Sequence, residues 1–117
     1  MEYQFTNDKP IYLQLMDVFK VAIVSGELPK GVRLDSVRDL AIVAKVNPNT
    51  MQKALSELER IGLVRTERTS GRFITDDEEL ILSMKKEIAE NEIRVFLEKM
   101  KKMGLSKDTI IKMVSEL

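Results

Sequence analysis

Val46-Asn47-Pro48-Asn49-Thr50-Met51-Gln52-Lys53-Ala54-Leu55 decides the fold, because a polar, helix-starting cluster passes at once into helical apolar spacing. Asn47 can cap a helix by accepting from backbone N–H groups, and Pro48 suits the first helical position, where its missing N–H has no intrahelical partner. Asn49, Thr50, Gln52 and Lys53 then place donors and acceptors on the early turns. Met51, Ala54, Leu55 and Leu58 recur at helical intervals and face a core. A helix with a polar leading end and an anchored apolar flank is what reading a DNA groove requires. The helix extends over residues 48–61, and Gly62 stands where a left-handed residue commonly closes one.

Just before this stretch, Ser36-Val37-Arg38-Asp39 fits a capping box, a hydroxyl followed three residues later by a carboxylate. Val37, Leu40, Ala41 and Ala44 supply the apolar side of a short helix over residues 36–44, and Lys45 and Val46 link it to the opening stretch. Two helices joined by so short a turn form a helix-turn-helix. On the other side, Leu63-Val64-Arg65-Thr66 and Arg72-Phe73-Ile74-Thr75 are β-prone runs joined by Glu67-Arg68-Thr69-Ser70-Gly71. A hairpin directly after a helix-turn-helix is a wing, with Arg68, Ser70, Gly71 and Arg72 at or beside its tip.

Before these elements lie a short extended arm and a first helix over residues 10–25. The Asn7-Asp8-Lys9-Pro10 cluster reads as its start, with a cap and an early proline. Ile11, Leu15, Val18, Phe19, Ala22 and Ile23 form its apolar face, and Gly26 ends it. Val32-Arg33-Leu34 is either a very short strand or an extended link. After Thr75, Asp76-Asp77-Glu78-Glu79 opens a long helix with acidic groups at the end the macrodipole favours. Leu80, Ile81, Met84, Ile88, Phe96, Met100 and Met103 mark its apolar side over about 40 Å of helical rise. Gly104-Leu105-Ser106 stops it and caps a last short helix over residues 107–117. The expected fold is mainly α with a small β-hairpin. A winged helix-turn-helix domain over residues 1–75 precedes a two-helix dimerisation tail over residues 76–117.

Composition narrows the function classes. The chain of 117 residues contains no cysteine and no histidine, which removes disulfides, zinc clusters and thiol or imidazole catalysis. No Gly-rich phosphate loop and no nucleophile–base pair stands out, so an enzyme is not expected, nor is a metal or cofactor. No apolar run reaches the ~18 residues of a membrane span and no signal peptide opens the chain, so the expected location is the cytoplasm. The formal net charge is zero, yet residues 30–72 hold nine basic against five acidic side chains, a local +4, while residues 76–117 hold eight against ten, or −2. Positive charge therefore accumulates where phosphate contact needs it.

Six fragments in this order and spacing resemble the winged-helix domain of GntR-family bacterial transcriptional regulators. They are Pro10-Ile11-Tyr12-Leu13-Gln14, Ser25-Gly26-Glu27-Leu28, Leu34-Asp35-Ser36-Val37-Arg38-Asp39-Leu40-Ala41, Val46-Asn47-Pro48-Asn49-Thr50, Leu58-Glu59-Arg60-Ile61-Gly62-Leu63-Val64 and Ser70-Gly71-Arg72-Phe73. The tail of only 42 residues after residue 75 resembles the YtrA-like subgroup, where it implies dimerisation rather than a large effector domain. The resemblance further implies that Arg38 and the leading residues of the third helix contact operator DNA. It implies that Gly71 and its neighbours reach the adjacent groove or its backbone.

Two positions depart from the family pattern. Asp35 stands where proline is common, and Lys45 stands where glycine is usual. If Lys45 requires positive φ, it costs about 1 kcal/mol relative to glycine; otherwise the turn has shifted.

In isolation, Asn47, Asn49, Thr50 and Gln52 make a capped, solvated helix start. Behind a helix-turn-helix they become base readers, with Asn or Gln matching adenine. Lys53, Arg68 and Arg72 are phosphate candidates, and Pro48 preorganises the helix. The expected partners are double-stranded operator DNA and a second copy of the chain, with no membrane. A small-molecule effector is left without a pocket inside one tail, though one could form at a dimer interface. The competing reading is a winged-helix protein-interaction module within a larger assembly.

Overall fold

The computed structural model describes residues 1–117 and comprises α1 (Ile11–Val24), α2 (Val37–Ala44), α3 (Pro48–Arg60), β1 (Val64–Glu67), β2 (Gly71–Ile74), α4 (Glu78–Lys102) and α5 (Lys107–Glu116). It divides into two compact units, Met1–Met84 and Lys85–Leu117. The chain is thus a winged helix-turn-helix with C-terminal helices.

The core of the first unit is built from the faces that the apolar spacing marks. Leu15, Phe19 and Ile23 of α1, Leu40, Ala41 and Ala44 of α2, and Met51, Ala54, Leu55 and Leu58 of α3 are buried together with Leu63, Val64 and Ile74. Most of these side chains are fully removed from water, and each large one contributes on the order of 1.5–3 kcal/mol by that transfer. The core holds α3 by its apolar flank and leaves the opposite flank in water.

The start of α1 differs from expectation. Pro10 occupies the cap position itself and supplies no side-chain hydrogen bond, so the Asn7-Asp8 cluster does not cap the helix. Gln14 organises the entry instead. Its buried amide donates to the carbonyls of Thr6 (2.9 Å) and Lys9 (2.7 Å), and its Oε1 accepts from the Thr6 N–H (2.8 Å). A buried primary amide needs such partners. The arm is consequently tied down: Met1, Tyr3 and Phe5 pack against the core.

Both helices of the helix-turn-helix carry the predicted cap residue, although the Asp39 carboxylate makes no return bond to the Ser36 N–H and the capping box is only half formed. Ser36 Oγ accepts from the Asp39 N–H (3.1 Å), and Asn47 Oδ1 accepts from the Asn49 N–H (2.7 Å) with Pro48 in the first helical turn. At the turn between them, Lys45 has φ 59° and ψ 45°. It is the one non-glycine residue with positive φ, so the turn keeps its left-handed position and a lysine fills it. The N–H of Lys45 bonds to the Ile42 carbonyl (3.2 Å) and that of Val46 to the Ala41 carbonyl (3.1 Å), closing α2 in the manner usually served by glycine.

β1 and β2 are antiparallel, in register Val64↔Ile74, Arg65↔Phe73, Thr66↔Arg72 and Glu67↔Gly71. The Val32-Arg33-Leu34 segment resolves as a single-bridge third strand. Arg33 pairs with Phe73, the Leu34 N–H bonds to the Arg72 carbonyl and the Ile74 N–H to the Val32 carbonyl, both at 2.8 Å. β2 is therefore the inner strand of the wing. Arg65 lies across the Phe73 ring (4.8 Å) and pairs with Glu67 and, at 3.4 Å, with Asp76.

Asp77 caps α4 by accepting from the Leu80 N–H (3.1 Å). Leu80, Ile81 and Met84, at the start of α4, pack on the core of the first unit. In the second unit Ile93, Phe96, Met100 and Met103 recur at intervals of three and four, with Ile93, Phe96 and Met103 exposed. Within the second unit α4 ends at Lys102 and the chain turns at Gly104 (φ 81°), with the Leu105 N–H bonded to the Met100 carbonyl (3.1 Å). Ser106 caps α5 through the Thr109 N–H (3.2 Å), and Ile110 is its buried residue. No helix is long and apolar enough to cross a membrane.

Candidate nucleic-acid interface

The flank of α3 turned away from the core carries Asn47, Pro48, Asn49, Gln52 and Lys53, all exposed, with Thr50 half-buried at its edge. Their free valences are unequal. Asn47 Oδ1 is committed to the cap, so its amide group is left to donate. Gln52 Nε2 donates to Ser56 Oγ (3.0 Å), one turn on, which steadies the side chain and leaves its carbonyl and second amide hydrogen. Asn49 makes no side-chain hydrogen bond and presents its whole amide outward. Lys53 is directed back to α1, its ammonium 4.0 Å from the centre of the Tyr12 ring. This cation–π contact was not visible in the sequence, where Tyr12 and Lys53 are 41 positions apart.

A second group of residues gathers between the start of α2 and the wing. Here an open groove of about 430 Å³ is lined by Arg33, Asp35, Ser36 and Val37 on one side and by residues 66–72 on the other. It brings together Arg68, Ser70, Gly71 and Arg72, while Arg38 is exposed on the first turn of α2 beside it. Gly71 has φ 108° where the three-residue loop re-enters β2, a conformation that L side chains rarely adopt.

Ion pairing separates the arginines of the first unit into two sets. Arg60 pairs with Glu57 (2.8 Å), and Arg65 pairs with Glu67 and Asp76. Arg33, Arg38, Arg68 and Arg72 have no carboxylate within salt-bridge distance. Arg33, Arg68 and Arg72 line the α2–wing groove, and Arg38 directly follows its lining residue Val37. Arg72 Nε is in addition buried without a hydrogen-bond acceptor.

An open apolar cleft of about 440 Å³ lies near the end of α1. Its charged groups are Lys30 and Glu78, which already bond to each other, so no convergent free polar group remains to orient a ligand.

A three-helix core, a helix-turn-helix with its polar second helix outward and a hairpin wing flanked by unpaired arginines define a winged-helix transcriptional regulator. A family model for bacterial regulatory proteins of the gntR family matches residues 11–74, and the chain belongs to the GntR family. The family consists of transcriptional regulators rather than enzymes. The chain is 41% identical over 111 residues to the uncharacterized HTH-type transcriptional regulator YhcF of Bacillus subtilis, covering 95% of this chain and 92% of that one. It is 41% identical over 68 residues to the HTH-type transcriptional repressor YtrA of the same organism, covering 58% of this chain and 52% of YtrA. A solved GntR family transcriptional regulator from Listeria monocytogenes superposes with a TM-score of 0.88 at 36% identity, covering 97% of this chain and 99% of that one. The expected kinship with YtrA is thus present.

Proposed function

We propose that this regulator represses transcription by binding a pseudo-palindromic operator as a homodimer, one half-site per subunit. The observation that carries the reading is the α3 flank, whose exposed amides stand on a helix fixed by four buried residues on its other side. Asn49, Thr50 and Gln52 would meet base edges in the major groove, and Asn47 would add its free amide hydrogens. Arg38 would act from the start of α2. Arg68, Ser70, Gly71 and Arg72 would bring the wing to the backbone or the adjacent minor groove, with Lys53 reaching a phosphate if it leaves Tyr12. Repression is the role named for YtrA.

Dimerisation is supported by the far half of α4. Ile93, Phe96 and Met103 are exposed there, and with Met100 they follow a 3-4-3 spacing suited to a helix–helix seam. Leu80, Ile81 and Met84 are occupied within their own unit, so the seam we propose begins beyond them. Two-fold symmetry of the protein would match two inverted half-sites.

Asn49→Ala and Arg38→Ala test the assignment on an operator recovered by selection. Loss of a good base contact costs about 1–3 kcal/mol, a fall of about 5- to 150-fold in affinity. If both variants bind as tightly as wild type, α3 and the start of α2 are not the reading surface.

A further inference from the structure

We propose that Arg33, in the single-bridge strand beneath the wing, is a phosphate contact of this protein. The inference rests on the DNA-binding reading and extends it to a residue outside the helix-turn-helix and the hairpin.

Three observations converge on Arg33. Its backbone is fixed to the wing on both sides, through the bridge to Phe73 and the 2.8 Å bonds that join Leu34 to Arg72 and Ile74 to Val32. Its side chain lies across Gly71: a Cβ built there would stand 3.2 Å from Arg33 Nε and 3.4 Å from Nη2. Its guanidinium is paired with no carboxylate, although Asp35 and Glu67 line the same groove. Glu67 is taken by Arg65 instead.

An arginine held by backbone pairing and packed over a glycine has already lost much of its side-chain freedom. Its planar fork is therefore ready for a ligand with two acceptor oxygens. Arg33 then forks onto one backbone phosphate at the base of the wing, from the face of the sheet that carries Gly71 and Phe73. With no Cβ at Gly71, Arg33 crosses the hairpin there without having to give way.

The test compares Arg33→Gln and Arg33→Lys with wild type. The probe is a mixed-sequence duplex of about three helical turns, titrated between about 50 and 200 mM salt. Arg33→Gln is expected to make the slope of log affinity against log salt shallower by about 0.9, one phosphate contact fewer. Arg33→Lys keeps the charge and so the slope, while binding more weakly because it cannot fork. Melting temperatures stay at the wild-type value in both, since Arg33 is exposed and unpaired. A wild-type slope in Arg33→Gln overturns the inference, whether affinity is unchanged or falls together with the melting temperature. If wild type itself shows no salt-dependent binding to the duplex, the DNA-binding reading fails as well, which is a distinguishable result.

Discussion

Replacing Lys45 by glycine should stabilise the protein. Lys45 adopts φ 59° to close α2, and an L side chain in that region costs about 1–2 kcal/mol from the approach of Cβ to the following carbonyl. Glycine removes that cost but widens the unfolded ensemble, which returns about 0.5–1 kcal/mol in the other direction. The net gain is about 0.5–1 kcal/mol, or a rise of about 2–6 °C in melting temperature for a chain of this size. Lys45→Ala is the control, because it removes the ammonium while retaining the Cβ and its strain; its stability should stay within about 0.5 kcal/mol of wild type. The two variants are compared by thermal and urea unfolding followed by circular dichroism. If glycine gives no more stability than alanine, the turn does not hold residue 45 in the left-handed region. Both variants lose the same charge, so a difference between them in DNA affinity would report on the geometry of the turn into α3.

Three further expectations follow from named contacts. Gln14→Leu keeps the volume but strands the Thr6 N–H and two carbonyls, so it should cost about 1–3 kcal/mol in urea unfolding and speed amide exchange at Thr6; unchanged exchange would show that the arm is held by other contacts. Phe96→Glu should convert a dimer to monomers in sedimentation and leave the melting of the first unit intact, whereas a dimer that survives it would move the seam elsewhere on α4 or α5. The Lys30–Glu78 bond holds the Glu78 carboxyl below its ordinary value of 4.5 and the Lys30 ammonium above its ordinary value of 10.5. The Glu78 contribution is therefore complete above the unfolded value and is lost as pH falls through the lowered one, while the Lys30 contribution is complete below its unfolded value and is lost as pH rises through the raised one. Because both groups are exposed the effect is small, and Glu78→Gln should flatten the acid limb of the stability profile slightly; an unaltered profile would mean the pair contributes nothing.

The fold was legible wherever one sequence period settled one face. The buried sides of α1, α2 and α3 follow directly from apolar residues three and four apart, and the caps at Ser36 and Asn47 follow from a side-chain oxygen placed before a helix. Long-range pairings were not legible. Nothing local tells Arg33 that it will lie beneath Phe73, or Lys53 that Tyr12 will be within reach of its ammonium. Gln14 could have been suspected, since a polar residue among Ile11, Leu15 and Phe19 on a core-facing helix must find partners. Apolar spacing along α4 does not by itself say what each part meets: Leu80, Ile81 and Met84 pack on the core of their own unit, whereas Phe96 and Met103 are exposed. For the interface, the residue types of α3 and the wing suggested DNA, but which arginines are free could only be learned from their neighbours.

Selection from a random-sequence duplex library gives the sharpest test of operator recognition. Wild-type protein should enrich a motif of two inverted half-sites, with centres about one helical turn or a multiple of it apart. Asn49→Ala should lose the enrichment at specific base positions. Recovery of no motif, together with affinity that does not respond to salt, would overturn the DNA-binding reading.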